Sequence, residues 1–229
     1  NCIINNSVIK LGKVNFVEIR LEGVQTMAEK YKEIHQLTDN PFLNLYQMEA
    51  IDTKGKGFHY YFASRNDAQH IKIKTQSIKA EGIVIYAVTA DENPKLALIR
   101  QYRYPLDAFI YELPAGLVDG DETPGMAAAR EMKEETGLDF VEYTGGNQYY
   151  RRPFFMGPGF TDETSASVFG TVSGNISDAF VEDTEEIQVI LADKEKVRQI
   201  LAQERVSMRG AFLMTHFLNA KEPFAFLNC

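Results

Sequence analysis

The sequence predicts an α+β fold in which a mixed sheet is layered with a few helices. Three observations carry this expectation. Short strand-like runs outnumber helical patterns between residues 48 and 191. One of them, Gly82–Val88, is apolar almost without interruption, as a buried strand is. Only residues 124–136, 193–203 and 207–219 read as helices, and many strands with few helices point to α+β or α/β/α layering.

The elements follow in chain order. Residues 48–64 read as a hairpin, with Gly55-Lys56-Gly57 as the turn and the aromatic-rich Phe58–Phe62 as its second strand. Gly82–Val88 is followed by the turn signal Asp91-Glu92-Asn93-Pro94 and a further strand over Leu96–Tyr102. Phe109–Leu113 is a short strand that Pro114-Ala115-Gly116 breaks. Pro124 fits the first position of a helix, Met126–Ala129 has high helix propensity, and Gly137 fits its stop, giving a helix over 124–136. Further strands are expected at Gln148–Arg151, Thr164–Val172 and Glu186–Leu191, and helices at Asp193–Gln203 and Ser207–Asn219. Residues 27–80 are expected to form a small N-terminal β subdomain and 81–229 the main domain. Because Met27-Ala28-Glu29-Lys30 reads like a natural beginning, residues 1–26 are expected to be an extension, vector-derived or translated from upstream; a genuine strand near Val14–Leu21 is the other reading.

Composition narrows the function classes. The 229 residues carry 24 Lys and Arg against 32 Asp and Glu, a net charge of −8, which argues against a nucleic-acid-binding surface. No run approaches the ~18 apolar residues of a membrane span. Two cysteines at the extremes, Cys2 and Cys229, offer neither a disulfide framework nor zinc-ligand spacing, which suits a reducing cytoplasm. The acid excess is concentrated: residues 112–142 are net −7 and residues 178–195 net −6, leaving the rest of the chain at +5.

The first acidic focus carries the chemistry. Glu131, Glu134 and Glu135 fall at i, i+3 and i+4 of one helix, so their carboxylates share a face. Two such charges ~5 Å apart repel by ~3 kcal/mol at an effective dielectric of ~20, so a cation is expected among them. Oxygen-only donors suit a hard divalent ion such as Mg²⁺, which typically adds waters and substrate phosphate oxygens to its carboxylates. A solvated glutamate face is the bland alternative. Arg130 is placed to pair with Glu122 and so hold the preceding loop against the helix.

Gly116–Leu138 resembles the signature of the Nudix hydrolase superfamily, with Gly116, Glu122, Arg130-Glu131, Glu134-Glu135 and Gly137 at its fixed positions. The resemblance implies an α/β/α sandwich and Mg²⁺-assisted hydrolysis, or Mn²⁺ in its place, of a nucleoside diphosphate linked to another group. It implies Glu131 and Glu135 as principal metal ligands, Glu134 as ligand or base, and the Ala115 carbonyl as a further ligand. Arg100–Tyr104 and Tyr111–Gly116 look like the ADP-ribose pyrophosphatase branch, which implies that Arg103, Arg65 and Glu112 serve the substrate site. Gly157-Pro158-Gly159 is similar to that branch's Ser-Pro-Gly loop, although Pro153 holds the more usual spacing, which points to an insertion near 143–150. With no Trp in the chain, Tyr60, Tyr61 or Phe58 would have to supply the adenine platform. The second acidic focus resembles the loop that carries a general base, with Glu185 the first choice and Asp183 and Glu182 in reserve. A homodimer acting on ADP-ribose is the implied whole; another nucleoside diphosphate sugar or dinucleotide, or a nucleotide-sensing module without hydrolysis, are the alternatives.

Overall fold

The structure is a computed structural model that describes residues 2–4, 7–9, 30–179, 181 and 185–229. The segment Val14–Leu21, where a strand was an alternative, lies outside the described residues, as do Glu182 and Asp183. Compact packing divides the chain into two units, Asn1–Ile34 with Gln47–Tyr60, and His35–Tyr46 with Tyr61–Cys229.

Strands β1 (Cys2–Ile4) and β2 (Ser7–Ile9) pair antiparallel. Strands β3 (Tyr31–Gln36), β4 (Asn44–Ile51) and β5 (Gly57–Ser64) form a three-stranded sheet with β4 in the middle. The chain turns between β4 and β5 as expected: the Lys56 carbonyl accepts the Asp52 N–H at 2.9 Å, and the Asp52 carboxylate accepts the Lys56 N–H at 2.8 Å. A single helical turn, α1 (Lys72–Thr75), leads into the main sheet.

That sheet contains β6 (Gly82–Thr89), β7 (Leu96–Arg103), β8 (Ala108–Glu112) and β9 (Ala115–Leu117), followed by helix α2 (Pro124–Thr136). It continues with β10 (Asp139–Glu142), β11 (Phe154–Phe155), β12 (Thr164–Ser173) and β13 (Ile187–Ala192), and the chain closes with helices α3 (Lys194–Gln203) and α4 (Met208–Asn219). Its main order is β10-β12-β6-β7-β13, with β9 on β6, β8 on β7 and β11 on β12. Among the described strands of this sheet, β12 and β6 pair parallel and the other pairs antiparallel.

The apolar run of β6 is explained by two covered faces. Ile83, Ile85 and Ala87 point to a cluster with Ala127, Ala128 and Met132 of α2. Val84, Tyr86 and Val88 point to the opposite cluster, with Val197 and Ile200 of α3 and Met214 and Phe217 of α4. Helix, sheet and helix therefore form three layers, as expected. The alanines on the α2 side let that helix lie close to the strands.

One feature of the sheet positions the site. β6 and β7 pair only at Val88↔Leu96 and then separate. β9 occupies the freed edge of β6, from Gly82↔Leu117 to Val84↔Ala115, and β8 occupies that of β7, from Ile99↔Glu112 to Arg103↔Ala108. Pro114–Leu117 thus runs into the split, where the Pro114 carbonyl accepts the Ile85 N–H at 2.8 Å.

The expected strand at Gln148–Arg151 is not a strand. Residues Gln148–Tyr150 form a 3₁₀ turn, because the Asn147 side chain accepts the Tyr149 N–H at 3.0 Å and Arg151 closes onto the Gln148 carbonyl at 3.1 Å. Local capping by Asn overrides the aromatic β propensity there. No helix among the described residues is long and apolar enough to cross a membrane.

Candidate active site

Helix α2 supplies the centre of the site, and its ends are those the sequence specifies. The Thr123 hydroxyl accepts the Met126 N–H at 3.3 Å, Pro124 takes the first helical position, and Gly137 stops the helix with φ +75°. A Cβ at Gly137 would stand 2.6 Å from Ser177, so this stop needs glycine both for its left-handed backbone and for the close passage of the chain. Ala127, Ala128 and Met132 are fully buried and pin α2 to the sheet. Glu135, one turn beyond Met132 and Glu131, sinks with that stripe and is only 4% exposed.

Burial holds the Glu135 carboxyl well above the usual glutamate range, and the nearby Glu131 and Glu185 push it the same way. The Ala115 N–H, which Glu135 Oε2 accepts at 3.3 Å, and the charge of Arg103 oppose this only in part. Glu131 is raised as well, first by burial, with Arg130 opposing. Two partly desolvated carboxylates on one helix turn are costly unless a cation joins them.

Arg130 meets part of that need. Its Nε and Nη2 donate to the two Glu122 oxygens at 3.0 and 2.9 Å, and Nη2 also donates to the Leu117 carbonyl at 3.0 Å. Its Nη1 donates to Glu131 at 2.8 Å and to Glu134 at 3.0 Å. The sequence anticipated the Glu122 pair; the structure extends the role of Arg130 to the helix face itself. This bidentate pair lowers the Glu122 pKa and ties the 117–122 loop to α2.

A cleft of about 350 Å³ opens beside these groups, lined by Ala115, Gly116, Leu117, Asp119, Arg130, Glu131, Glu134, Glu135 and Glu185. It gathers Glu131, Glu134, Glu135, Ala115 and Glu185, all of which the sequence had singled out. Glu134 is the most open of the α2 glutamates, its side chain 48% exposed. Glu185 accepts a hydrogen bond from Nε2 of the buried Gln101 at 3.3 Å, which fixes it at the edge of β7.

The other substrate-side residues are placed as follows. Arg103 Nε donates to the buried Glu112 at 2.6 Å. Glu112 also faces Arg209 of α4, at 3.7 Å. Arg65 pairs with Glu163 at 3.6 Å and lines a second cavity of about 410 Å³, whose wall shares Leu117 and Asp119 with the glutamate cleft. Pro158 and Gly159 sit in a tight turn in which the Gly157 carbonyl accepts the N–H groups of Phe160 and Thr161 at 2.9 Å. Tyr60 and Tyr61 are exposed, with Phe58 edge-on to Tyr60 at 6.5 Å. Sequence reasoning missed two residues of this region. Gln101 carried a signal, a polar residue inside an apolar strand, whereas Arg209 carried none.

Three features test whether these residues suit a divalent cation. The donors are all hard oxygens. Glu135 is a buried carboxylate that lacks a cationic hydrogen-bond partner among the described residues. At Gly116 a Cβ would lie 2.0 Å from the Glu131 carboxyl group, so that carboxylate uses room which only glycine leaves beside Ala115. Among the described residues no three His, Cys, Asp or Glu side chains are already gathered as ligands, because Glu131 and Glu134 are turned onto Arg130. The donor set fits such an ion, and binding it would exchange part of the Arg130 contacts for the cation.

Comparison with known proteins agrees with this geometry. The model of the NUDIX domain family matches residues 79–209. The chain is 32% identical over 153 residues to "Putative nudix hydrolase 2" of Caenorhabditis elegans, covering 63% of this chain and 66% of that protein. It is 37% identical over 90 residues to an ADP-ribose pyrophosphatase of Bacillus subtilis, covering 39% of this chain and 45% of that protein. The match thus spans less than two thirds of either relative. A solved structure titled as that of an ADP compounds hydrolase superposes on 76% of this chain and 84% of its own with TM-score 0.54 at 15% identity, a likeness of fold. The chain belongs to the Nudix family.

Proposed function

We propose that this protein hydrolyses the pyrophosphate bond of ADP-ribose with water, giving AMP and ribose 5-phosphate, with Mg²⁺ as its cation. The observation that carries the reading is the convergence of Glu131, Glu135 and Glu185 on one cleft with Arg103 close enough to act on the Glu135 charge. The similarity to ADP-ribose pyrophosphatases supports the choice of substrate.

Glu131 and Glu135 would hold the cation, with Glu134 and the Ala115 carbonyl assisting. When bound, such an ion neutralises charge on phosphoryl oxygens and acidifies a bound water. The chain's own residues do the rest. Arg130 and Glu122 fix the 117–122 loop, so the helix carboxylates keep their orientation. Glu185, held by Gln101, takes a proton from the attacking water; Glu182, Asp183 or Glu134 would replace it if it does not. Arg103 offers its remaining guanidinium donors to phosphate oxygens, because Glu112 occupies its Nε. Arg65, Tyr60, Tyr61, Pro158 and Gly159 would line the nucleoside and sugar ends.

The proposal extends to a homodimer, to a cytoplasmic location and to a boundary near residue 80 between an N-terminal subdomain and the catalytic domain. The test is a panel of nucleoside diphosphate sugars and dinucleotides with Mg²⁺, run on wild type and Glu135→Gln. Release of AMP and ribose 5-phosphate from ADP-ribose by wild type alone supports the reading. Faster turnover of another nucleoside diphosphate reassigns the substrate, and binding without cleavage makes the protein a sensor.

A further inference from the structure

Arg209 belongs to no motif, yet the fold places it deliberately. Before α4, the Arg205 carbonyl accepts the Tyr111 N–H at 2.8 Å and the Tyr111 carbonyl accepts the Ser207 N–H at 3.1 Å. This short bridge lays residues 205–207 along β8, directly beside Glu112. Ser207 then caps α4, its hydroxyl accepting the Gly210 N–H at 3.2 Å, and the first turn of the helix carries Arg209 over Glu112.

Glu112 is thereby flanked by two guanidinium groups. Arg103 Nε donates to one carboxylate oxygen at 2.6 Å, and Arg209 Nη2 stands 3.7 Å from the other. The carboxylate is almost wholly buried, whereas the Arg103 and Arg209 side chains are 37% and 32% exposed. Two cations on one anion leave one positive charge at the surface. Arg209 is also incompletely used. Among the described residues its recorded partners are Glu112, beyond hydrogen-bond length, and Met156 Sδ at 4.0 Å. A guanidinium with five donors and no close oxygen is suited to a phosphate, which accepts two parallel hydrogen bonds from it. The glutamate cleft is near, since Glu112 stands three residues before Ala115 of the cleft wall, a chain span of about 11 Å at most.

We propose that Arg103 and Arg209, braced on the buried Glu112, form a two-guanidinium clamp for the second phosphoryl group of a diphosphate whose first phosphoryl group lies at the glutamate cleft. Glu112 is then a positioning residue that keeps both forks aimed outward, and Arg209 is a substrate-binding residue. This rests on the reading of the cleft as a diphosphate-hydrolysing site.

Two measurements test it. The first is steady-state hydrolysis of ADP-ribose by wild type, Arg209→Ala, Arg209→Lys and Arg198→Ala, the last a control on the exposed face of α3. Losing a charge-assisted contact present in both ground and transition state raises KM about tenfold or more and leaves kcat within about threefold. Arg209→Lys, which keeps the charge without the fork, falls between, and the control matches wild type. The second is calorimetry with inorganic pyrophosphate in EDTA, which needs neither metal nor turnover. Wild type binds it, and Arg209→Ala weakens binding by a similar factor. Unchanged KM and unchanged pyrophosphate affinity in Arg209→Ala overturn the clamp, as does a wild type that binds no pyrophosphate. A lower kcat or melting temperature at constant KM also overturns it, and makes Arg209 a structural residue. If wild type cleaves no nucleoside diphosphate while pyrophosphate affinity still depends on Arg209, the hydrolase reading fails and the clamp stands.

Discussion

Replacing Glu135 by Gln should strengthen the metal-free protein while disabling it. The carboxylate is 4% exposed, and its recorded hydrogen bond is to the Ala115 N–H, which a glutamine oxygen can also accept. Its folded pKa lies well above the ordinary value of 4.5, so the folded state holds the proton more tightly than the unfolded state does. Stability must therefore fall as pH rises from about 4.5 towards the folded pKa, and the full loss is present above that pKa. Desolvating a charge costs several kcal/mol, which Ala115 and Arg103 offset in part; a net ~1–3 kcal/mol remains to be recovered by the neutral amide. At ~2–4 °C per kcal/mol for a chain of this size, Glu135→Gln should melt ~3–10 °C higher than wild type in EDTA at pH 8, and within a degree or two of it near pH 4.5. Mg²⁺ at about 100 times its Kd should stabilise wild type by ~2.7 kcal/mol and the variant much less. Calorimetric melting with and without Mg²⁺ at the two pH values reads all of this. A variant that melts lower than wild type in EDTA at pH 8 would show that the buried carboxylate is not strained, and would remove the main physical argument for a cation there.

Other expectations follow from the same geometry. Gly116→Ala places a methyl group where the Glu131 carboxylate lies, so metal-dependent activity should fall at least tenfold with the fold retained by circular dichroism. Arg130→Lys keeps the charge but cannot serve Glu122 with two parallel bonds while also reaching Glu131 and Glu134, so kcat should fall more than KM rises. Met132→Ala removes a fully buried side chain between α2 and the sheet and should cost ~2–5 kcal/mol by denaturant titration, with the residual folded protein still active. Gln101→Leu removes the hydrogen bond that Gln101 gives the Glu185 carboxylate and should lower kcat several-fold without altering Mg²⁺ affinity measured by calorimetry.

What could be read from the sequence was local chemistry and periodicity. Pro124 and Gly137 bound α2 because capping is decided within a turn, and Glu131, Glu134 and Glu135 share a face because helical spacing dictates it. Asp193 and Ser207 capped α3 and α4 for the same reason. What could not be read depends on distant pairing. The separation of β6 from β7, into which Pro114–Leu117 inserts, has no signal where it begins, since β6 is apolar throughout and β7 stays apolar from Leu96 to Ile99. Arg130 was legible as the partner of Glu122, but its hold on Glu131 and Glu134 depends on how the loop folds back over α2. Arg209 acquires its meaning only when residues 205–207 lie along β8. The turn at Gln148–Tyr150 was misread because three polar-aromatic residues suit a strand, and one Asn side chain was enough to decide otherwise.

In the proposed reading the Glu131–Glu135–Glu185 cleft cleaves a nucleoside diphosphate sugar. Its most direct test is incubation of the purified protein with ADP-ribose and Mg²⁺, with both products quantified chromatographically. AMP and ribose 5-phosphate should appear in equal amounts, and both should be lost in EDTA and in Glu135→Gln. Intact ADP-ribose after prolonged incubation with metal, or equal cleavage by wild type and Glu135→Gln, would contradict it.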